Sequence, residues 1–262
     1  MSRLVPLFSS SKGNSIFVGS TCAGILVDAG QSCRAITKAL DCCGIALGAV
    51  KGIFVTHEHI DHVRGLYQLQ KQHKLPVYGS KGTIEFLMSN NLLYSDEQVY
   101  EVNGNSECVA DMEINTFHTP HDSQESVGFT IITSDERKIS VCTDLGEITQ
   151  EVAESLQGSD LVLLEANYDE IMLQNNHTYP AFTKKRIASN HGHLSNSESA
   201  AYIKKLICSG TTRIVLGHLS QNNNRPDLAV TKVLSELSEF KLGVDFTLDV
   251  APVATQGKSI AL

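Results

Sequence analysis

No stretch of this chain approaches the ~18 consecutive apolar residues that a membrane span needs, so no membrane is expected among its partners. The opening MSRLVPLFSSSKGNS has polar residues where a leader would carry its apolar segment, and no secretion signal is expected. The cysteines, seven in all, are odd in number and show no Cys-x-x-Cys spacing. With no leader, that pattern points to reduced, mostly buried thiols in a cytoplasm. Basic residues are also scarce: 21 Lys and Arg stand against 29 Asp and Glu, a net charge of −8. That excludes a basic coat protein for nucleic acid. It does not exclude a polyanionic substrate, because a bound ion pair would add roughly four positive charges locally. Low-complexity tracts, Pro/Ser-rich linkers and repeats are absent too.

What is present suffices for a full core. The 262 residues are 42% hydrophobic and 19% charged, consistent with a single domain over 1–262 made of two packed halves, approximately 1–110 and 111–262. Short β-type runs at 3–8, 15–18, 24–28, 52–56 and 76–78 alternate with helical patterns at 33–43, 62–73 and 83–90. Ser32 is a plausible N-cap for the first helix. A more antiparallel section follows at 112–117, 126–133 and 138–142, with SDERK as a hairpin turn. Beyond it the pattern predicts a helix at 149–156, the apolar strand LVLLEA, a helix at 197–208, the strand RIVLGH, a helix at 226–240 and a strand at 244–250. Alternation in both halves implies an α/β (α+β) fold of two mixed β-sheets back to back with helices outside, a four-layer αββα sandwich.

The stretch FVTHEHIDHVRGL places His57, His59, Asp61 and His62 within six residues of a strand end. Clustered imidazoles and buried carboxylates are costly unless a cation compensates. Residues two apart point the same way in extended chain, so His57 and His59 suit one ion, while Asp61 and His62 turn towards a second. Further candidates also end strands: His118 and His121 in FHTPHDSQESVGF, Asp144 in ISVCTDLGE, and His218 in RIVLGHLSQNNN. A carboxylate with lone pairs on both oxygens can serve two cations, which suits Asp144 to a bridge.

In this order the motifs resemble the metallo-β-lactamase fold superfamily. The resemblance implies His57, His59 and His121 on one ion, and Asp61, His62 and His218 on the other, with Asp144 bridging. His121 is preferred to His118 because Pro120-His121-Asp122 matches the P-H-D context of the similar branch. Two departures narrow the chemistry: His59 stands where flavo-di-iron enzymes carry glutamate, and true β-lactamases lack the bridging aspartate. LLEANYD and SNHGHLSNSES then resemble the phosphodiesterase branch that includes transfer-RNA 3′-processing endonucleases, which implies His193 as proton donor, with His191 its rival, and Glu165 as the residue that orients it.

Over roughly residues 1–230 the chain is similar to the YycJ/WalJ group, through LFSSSKGNS, ILVDAG, THEHIDH, PHDSQESVGF, TDLG, LLEAN, GHLSN and GHLSQNNNRPDLA. That resemblance implies a 5′→3′ exonuclease acting on DNA in the cytoplasm. The group usually reads S-G-S-x-G-N at the start, whereas this chain has Ser10 in the glycine position. A phosphodiester releases a poor leaving group, so a placed acid contributes about 10²–10⁴-fold. The expected mechanism is attack by a hydroxide bridging two divalent ions (zinc or manganese, with iron(II) possible) and protonation by His193, with Asp61 essential to turnover. Alternative readings are a small-molecule hydrolase on the same site (a cyclic phosphodiesterase, thioesterase or lactonase) and a binding protein that keeps the metals. For substrate contacts, Ser11 and Asn14 in the 9–14 loop offer either a phosphate nest or an ordinary turn. Lys184, Lys185 and Arg186 offer backbone contacts, or a solvated face. Tyr179 and Phe182 nearby offer stacking, or core packing.

Overall fold

A computed structural model describes residues 2–102, 104 and 106–261. The first part of the chain runs β1 (Arg3–Phe8), β2 (Ser15–Gly19), β3 (Gly24–Val27), α1 (Cys33–Cys42), β4 (Val50–Val55), α2 (Ile60–Val63), α3 (Leu66–His73), β5 (Val77–Gly79), α4 (Lys81–Ser89) and β6 (Val99–Glu101). It continues with β7 (Glu107–Val109), β8 (Met112–His118), β9 (Val127–Ile132), β10 (Lys138–Cys142), α5 (Gln150–Leu156), β11 (Leu161–Glu165), α6 (Glu170–Asn175) and α7 (Ala181–Ile187). The last elements are α8 (Asn196–Cys208), β12 (Arg213–Gly217), α9 (Pro226–Glu236), β13 (Thr247–Val250) and β14 (Ile260–Ala261).

Two seven-stranded sheets form, ordered β14-β1-β2-β3-β4-β5-β6 and β13-β12-β11-β10-β9-β8-β7. Each is antiparallel at one end and parallel at the other, with β3 to β6 parallel in the first and β10 to β13 in the second. A parallel strand covered on both faces needs an unbroken apolar run, and all five residues of β11, LVLLE, are buried.

Phe54, Phe129, Ile131, Val141, Leu163 and Val215 fill the space between the sheets. The Phe54 ring stacks on Tyr78 at 4.4 Å and meets Phe129 of the other sheet edge-on at 5.6 Å. Helices α1, α3 and α4 cover the first sheet through Ile36, Leu40, Leu69 and Leu87; α5, α8 and α9 cover the second through Val152, Ile203, Leu206 and Val233. The four-layer αββα sandwich is therefore observed. Among the described residues no helix is long and apolar enough to cross a membrane.

Several expectations are corrected. The helix expected over 62–73 is two helices, because Gly65 lies against the chain at Ala29 and Gln31. Its N–H donates to Ala29 O at 2.8 Å, and a Cβ there would come within 2.2 Å of Gln31 O. β6, β7 and β14 are too short to display alternation, and α6 and α7 occupy what the sequence leaves as an insert. The sheets do not divide at residue 110: β7 already belongs to the second, and β14 returns to the edge of the first. The last long strand starts at Thr247, not Val244. Of the seven thiols only Cys33 and Cys142 are buried, so the expectation of mostly buried cysteines fails, although all seven are free.

Candidate active site

The candidate residues gather where parallel strands end, which is where open α/β sheets place their ligands. β3 leads to Asp28, β4 through Thr56 to His57, β10 through Thr143 to Asp144, β11 ends in Glu165, and β12 leads to His218. Asp28, Asp144 and His218 all adopt left-handed backbone, with φ of 64°, 59° and 54°. This turns each chain sharply at the sheet edge and aims the side chain inward.

Donor atoms of His57, His59 and His121 lie within 4.8 Å of one another, as do those of His57, His62 and Asp144. A third group at the same separation joins Asp144 to Glu165, His193 and His218. Asp144 thus sits between the groups, with Oδ1 3.8 Å from His121 Nε2, and Oδ2 3.4 Å from His62 Nε2 and 3.2 Å from His218 Nδ1. Asp61 Oδ2 is 3.6 Å from His62 Nε2.

Outer partners fix the rings. The His121 Nδ1–H donates to Gly192 O at 3.0 Å, and the His62 Nδ1–H donates to Asp28 Oδ2 at 2.8 Å. Each leaves Nε2 facing the cluster, the arrangement that orients metal-binding imidazoles. Asp28 is itself held by the Thr56 N–H at 2.8 Å and the Thr56 hydroxyl. The loop carrying Asp61 is clamped by the Asn14 N–H on Asp61 O at 2.8 Å, and Gly30 passes so close that a Cβ would lie 1.7 Å from that oxygen.

The electrostatics ask for cations. Burial, reinforced by His62, pushes His57 well below the usual imidazole range, and burial lowers His121, so both are neutral donors. Burial would also lower His62 and His218. The carboxylates of Asp28 and Asp144 outweigh it for His62, and Asp144 does so for His218, which rises to about 9. Asp144 is held well below the carboxylate range, because His218 and His62 outweigh its burial. Among the described residues His57 Nε2, Asp144 Oδ2 and His218 Nδ1 are buried with no hydrogen-bond partner. Orphaned buried polar atoms are rare and costly, and three of them on three candidate ligands fit divalent ions.

His193 stands at one side of this cluster. Its Nδ1–H donates to Glu165 Oε1 at 2.7 Å, and the same nitrogen is 3.7 Å from Asp144 Oδ1. Glu165 is fully buried, and its Oε2 accepts from the backbone N–H groups of Leu145 and Leu194. Burial would lower His193, but the Glu165 carboxylate raises it above the usual range. A capping box of Ser195 and Glu198 starts α8 two residues later and fixes this segment. His191 is exposed. His118 is exposed as well, with its Nδ1 3.1 Å from Glu151, away from the cluster.

The expected substrate contacts fare differently. The N–H groups of Ser9, Ser10, Lys12, Gly13 and Asn14 are all donated within the protein, so the 9–14 loop is a closed turn and not a phosphate nest. Asn14 is buried, with Nδ2 3.0 Å from His62 Nε2 and 3.4 Å from Asp61 Oδ2; its role is positional. Ser11 is exposed, and Ser10 has no positive φ, so the missing glycine brings no strain. Lys184, Lys185 and Arg186 lie on α7, which buries no residue. Lys184 bonds Gln174 O at 2.7 Å, Arg186 pairs with Asp122 beside His121, and Lys185 is exposed. Phe182 is 73% exposed, against the expectation of core packing. Sequence reasoning missed Asp28 and Thr56, whose only signal is the strand ending ILVDAG paired with THEH.

A family model described as a beta-lactamase superfamily domain matches residues 24–219. The chain is 33% identical over 247 residues to "Exodeoxyribonuclease YycJ" of Bacillus anthracis, covering 93% of this chain and 92% of that protein. It is 31% identical over 253 residues to "Exodeoxyribonuclease WalJ" of Streptococcus pneumoniae, covering 94% and 93%. The metallo-beta-lactamase fold protein YhfI of Bacillus subtilis superposes with a TM-score of 0.71 at 15% identity, over 97% of this chain and 98% of that one. The chain belongs to the metallo-β-lactamase superfamily, in the group of YycJ and WalJ, and is a metal-dependent hydrolase.

Proposed function

We propose that the enzyme hydrolyses phosphodiesters of nucleic acid, removing nucleotides from DNA ends in the 5′→3′ direction. The observation that carries this reading is His193 bonded at 2.7 Å to fully buried Glu165, beside the candidate metal ligand Asp144. The names of the two relatives support DNA and end-directed cutting; the polarity rests on the resemblance to their group. The seven free thiols support a reducing cytoplasm.

His57, His59 and His121 would hold one ion, and Asp61, His62 and His218 the other, with Asp144 shared. Two divalent ions, zinc, manganese or iron(II), supply charge neutralisation on the phosphate and an activated water when bound. Asp28 and Gly192 O hold the rings of His62 and His121 in register. The Glu165 carboxylate raises His193 and so favours a proton on its outward nitrogen, and that proton would go to the departing alkoxide. An acyl thioester would need no such donor, since a thiolate leaves unaided.

The test is a time course of manganese- or zinc-loaded protein on end-labelled duplex DNA, single-stranded DNA and RNA, with Asp61→Ala alongside. Stepwise shortening of DNA from one end, lost in the variant, is the expected result. Intact polymers beside rapid hydrolysis of bis-nitrophenyl phosphate would overturn the reading in favour of a small-molecule enzyme.

A further inference from the structure

Next to the metal cluster is a cavity of about 630 Å³, lined by Glu58, His59, Ile60, Phe86, Leu92 and Ser123, with Asp122 at its rim. Its size lies within the roughly 300–1,000 Å³ of small-molecule sites. His59 belongs both to this cavity and to the triplet formed with His57 and His121. One wall is apolar: Ile60 is 56% exposed although it follows a candidate ligand, and Phe86 and Leu92 are half-buried.

The floor is polar and incomplete. Glu58 is buried, and its Oε1 accepts from the Gln124 N–H at 2.8 Å. Its other oxygen, Oε2, is buried with no partner among the described residues, as is Ser123 Oγ. A buried acceptor oxygen with no partner calls for a donor from outside. Two carboxylates, Glu58 and Asp122, make the cavity hostile to a phosphate. A nucleobase has the required combination: flat apolar faces for Ile60, Phe86 and Leu92, and N–H donors along its edge for Glu58.

We infer that this cavity receives the base of the terminal nucleotide, stacked against Ile60 and Phe86, with an edge N–H donating to Glu58 Oε2. The inference rests on the nucleic-acid reading above. With His59 common to both sites, a base held here places the phosphodiester on the 3′ side of its sugar at the metal cluster, so the cavity selects the end of a strand.

The experiment is calorimetric titration of the manganese-loaded full chain with dCMP bearing its phosphate on the 3′ oxygen and with deoxyribose 3-phosphate, which lacks the base. The expected result is at least tenfold tighter binding of dCMP. Glu58→Gln keeps an acceptor for Gln124 and should weaken dCMP about tenfold, as the amide then turns its NH2 group, a donor, towards the N–H of the base. Ile60→Ser, at an exposed position that does not burden the fold, should weaken it several-fold. Equal binding of the two ligands, or unchanged dCMP affinity in both variants, overturns the inference. DNA shortening by the wild type is measured separately. Shortening together with equal binding removes the cavity and leaves the nuclease. Intact DNA together with Glu58-dependent dCMP binding supports the cavity and removes the polymer.

Discussion

Replacing His193 by glutamine separates proton donation from everything else the residue does. Glu165 is fully buried, and its Oε1 is served by His193 at 2.7 Å. Alanine would leave that oxygen unpaired, and orphaning a buried acceptor costs about 1–3 kcal/mol. The glutamine amide can still donate to Glu165, so the fold and the placement of Asp144 should survive, but it carries no titratable proton. On DNA the departing alkoxide then leaves without an acid, and turnover should fall about 10²–10⁴-fold, or roughly 2.7–5.4 kcal/mol of barrier. On bis-nitrophenyl phosphate, whose leaving group is stable as an anion, the loss should stay within about tenfold. The assay is kcat/KM on both substrates for wild type and His193→Gln, with bound metal measured in each preparation. Equal losses on both substrates at full metal content would mean that His193 shapes the site without donating the proton. An unchanged rate on DNA would refute the mechanism outright.

Asp28→Asn should weaken metal binding about 10–100-fold, because the partner that orients His62 becomes neutral; competition with a coloured chelator reads this directly. Metal loading near pH 7.5 should release about two protons, from His62 and His218, and the His218 share should fade as pH rises through about 9; calorimetry in buffers of different ionisation heat measures it. By the same shifts, the metal-free protein holds the His218 share of its stability below ~6.5 and loses it as pH rises through about 9, which denaturant midpoints across that window would show. Lys185→Ala should lower the slope of log affinity against log salt on DNA by about one, whereas Lys184→Ala should not, since its ammonium is already bonded to Gln174 O.

The candidate metal ligands were legible because His57, His59, Asp61 and His62 sit in six residues, a density that chance seldom gives. The αββα layering was legible for a similar reason, since LVLLE and RIVLG have no polar face to show to water. Asp28 was not, because one aspartate after an apolar run looks like any turn; only the packing of β3 beside β4 brings it to His62. The 9–14 loop was open to two readings because a sequence does not say where backbone N–H groups are donated, and here they are donated inward. Glu58 and Ile60 fall between the ligands of the motif and carry no pattern of their own. Their meaning comes from the cavity that they line together with α4 and the 122–124 loop.

The strand ends show why propensity could not anticipate the centre of the site. Asp28, Asp144 and His218 hold left-handed backbone where glycine would be the cheapest residue, and such strain costs on the order of 1–3 kcal/mol at each position. Two of the three are held by bonds to a distant segment: the Asp28 N–H donates to Phe54 O at 2.9 Å, and the His218 N–H to Ser9 Oγ at 2.8 Å. Glycine at Asp144 or His218 would relieve the strain and delete a candidate ligand, and at Asp28 it would free the ring of His62. Sites that break a local rule in this way are where function is expected to override propensity, and the three that do so here converge on the volume around Asp144.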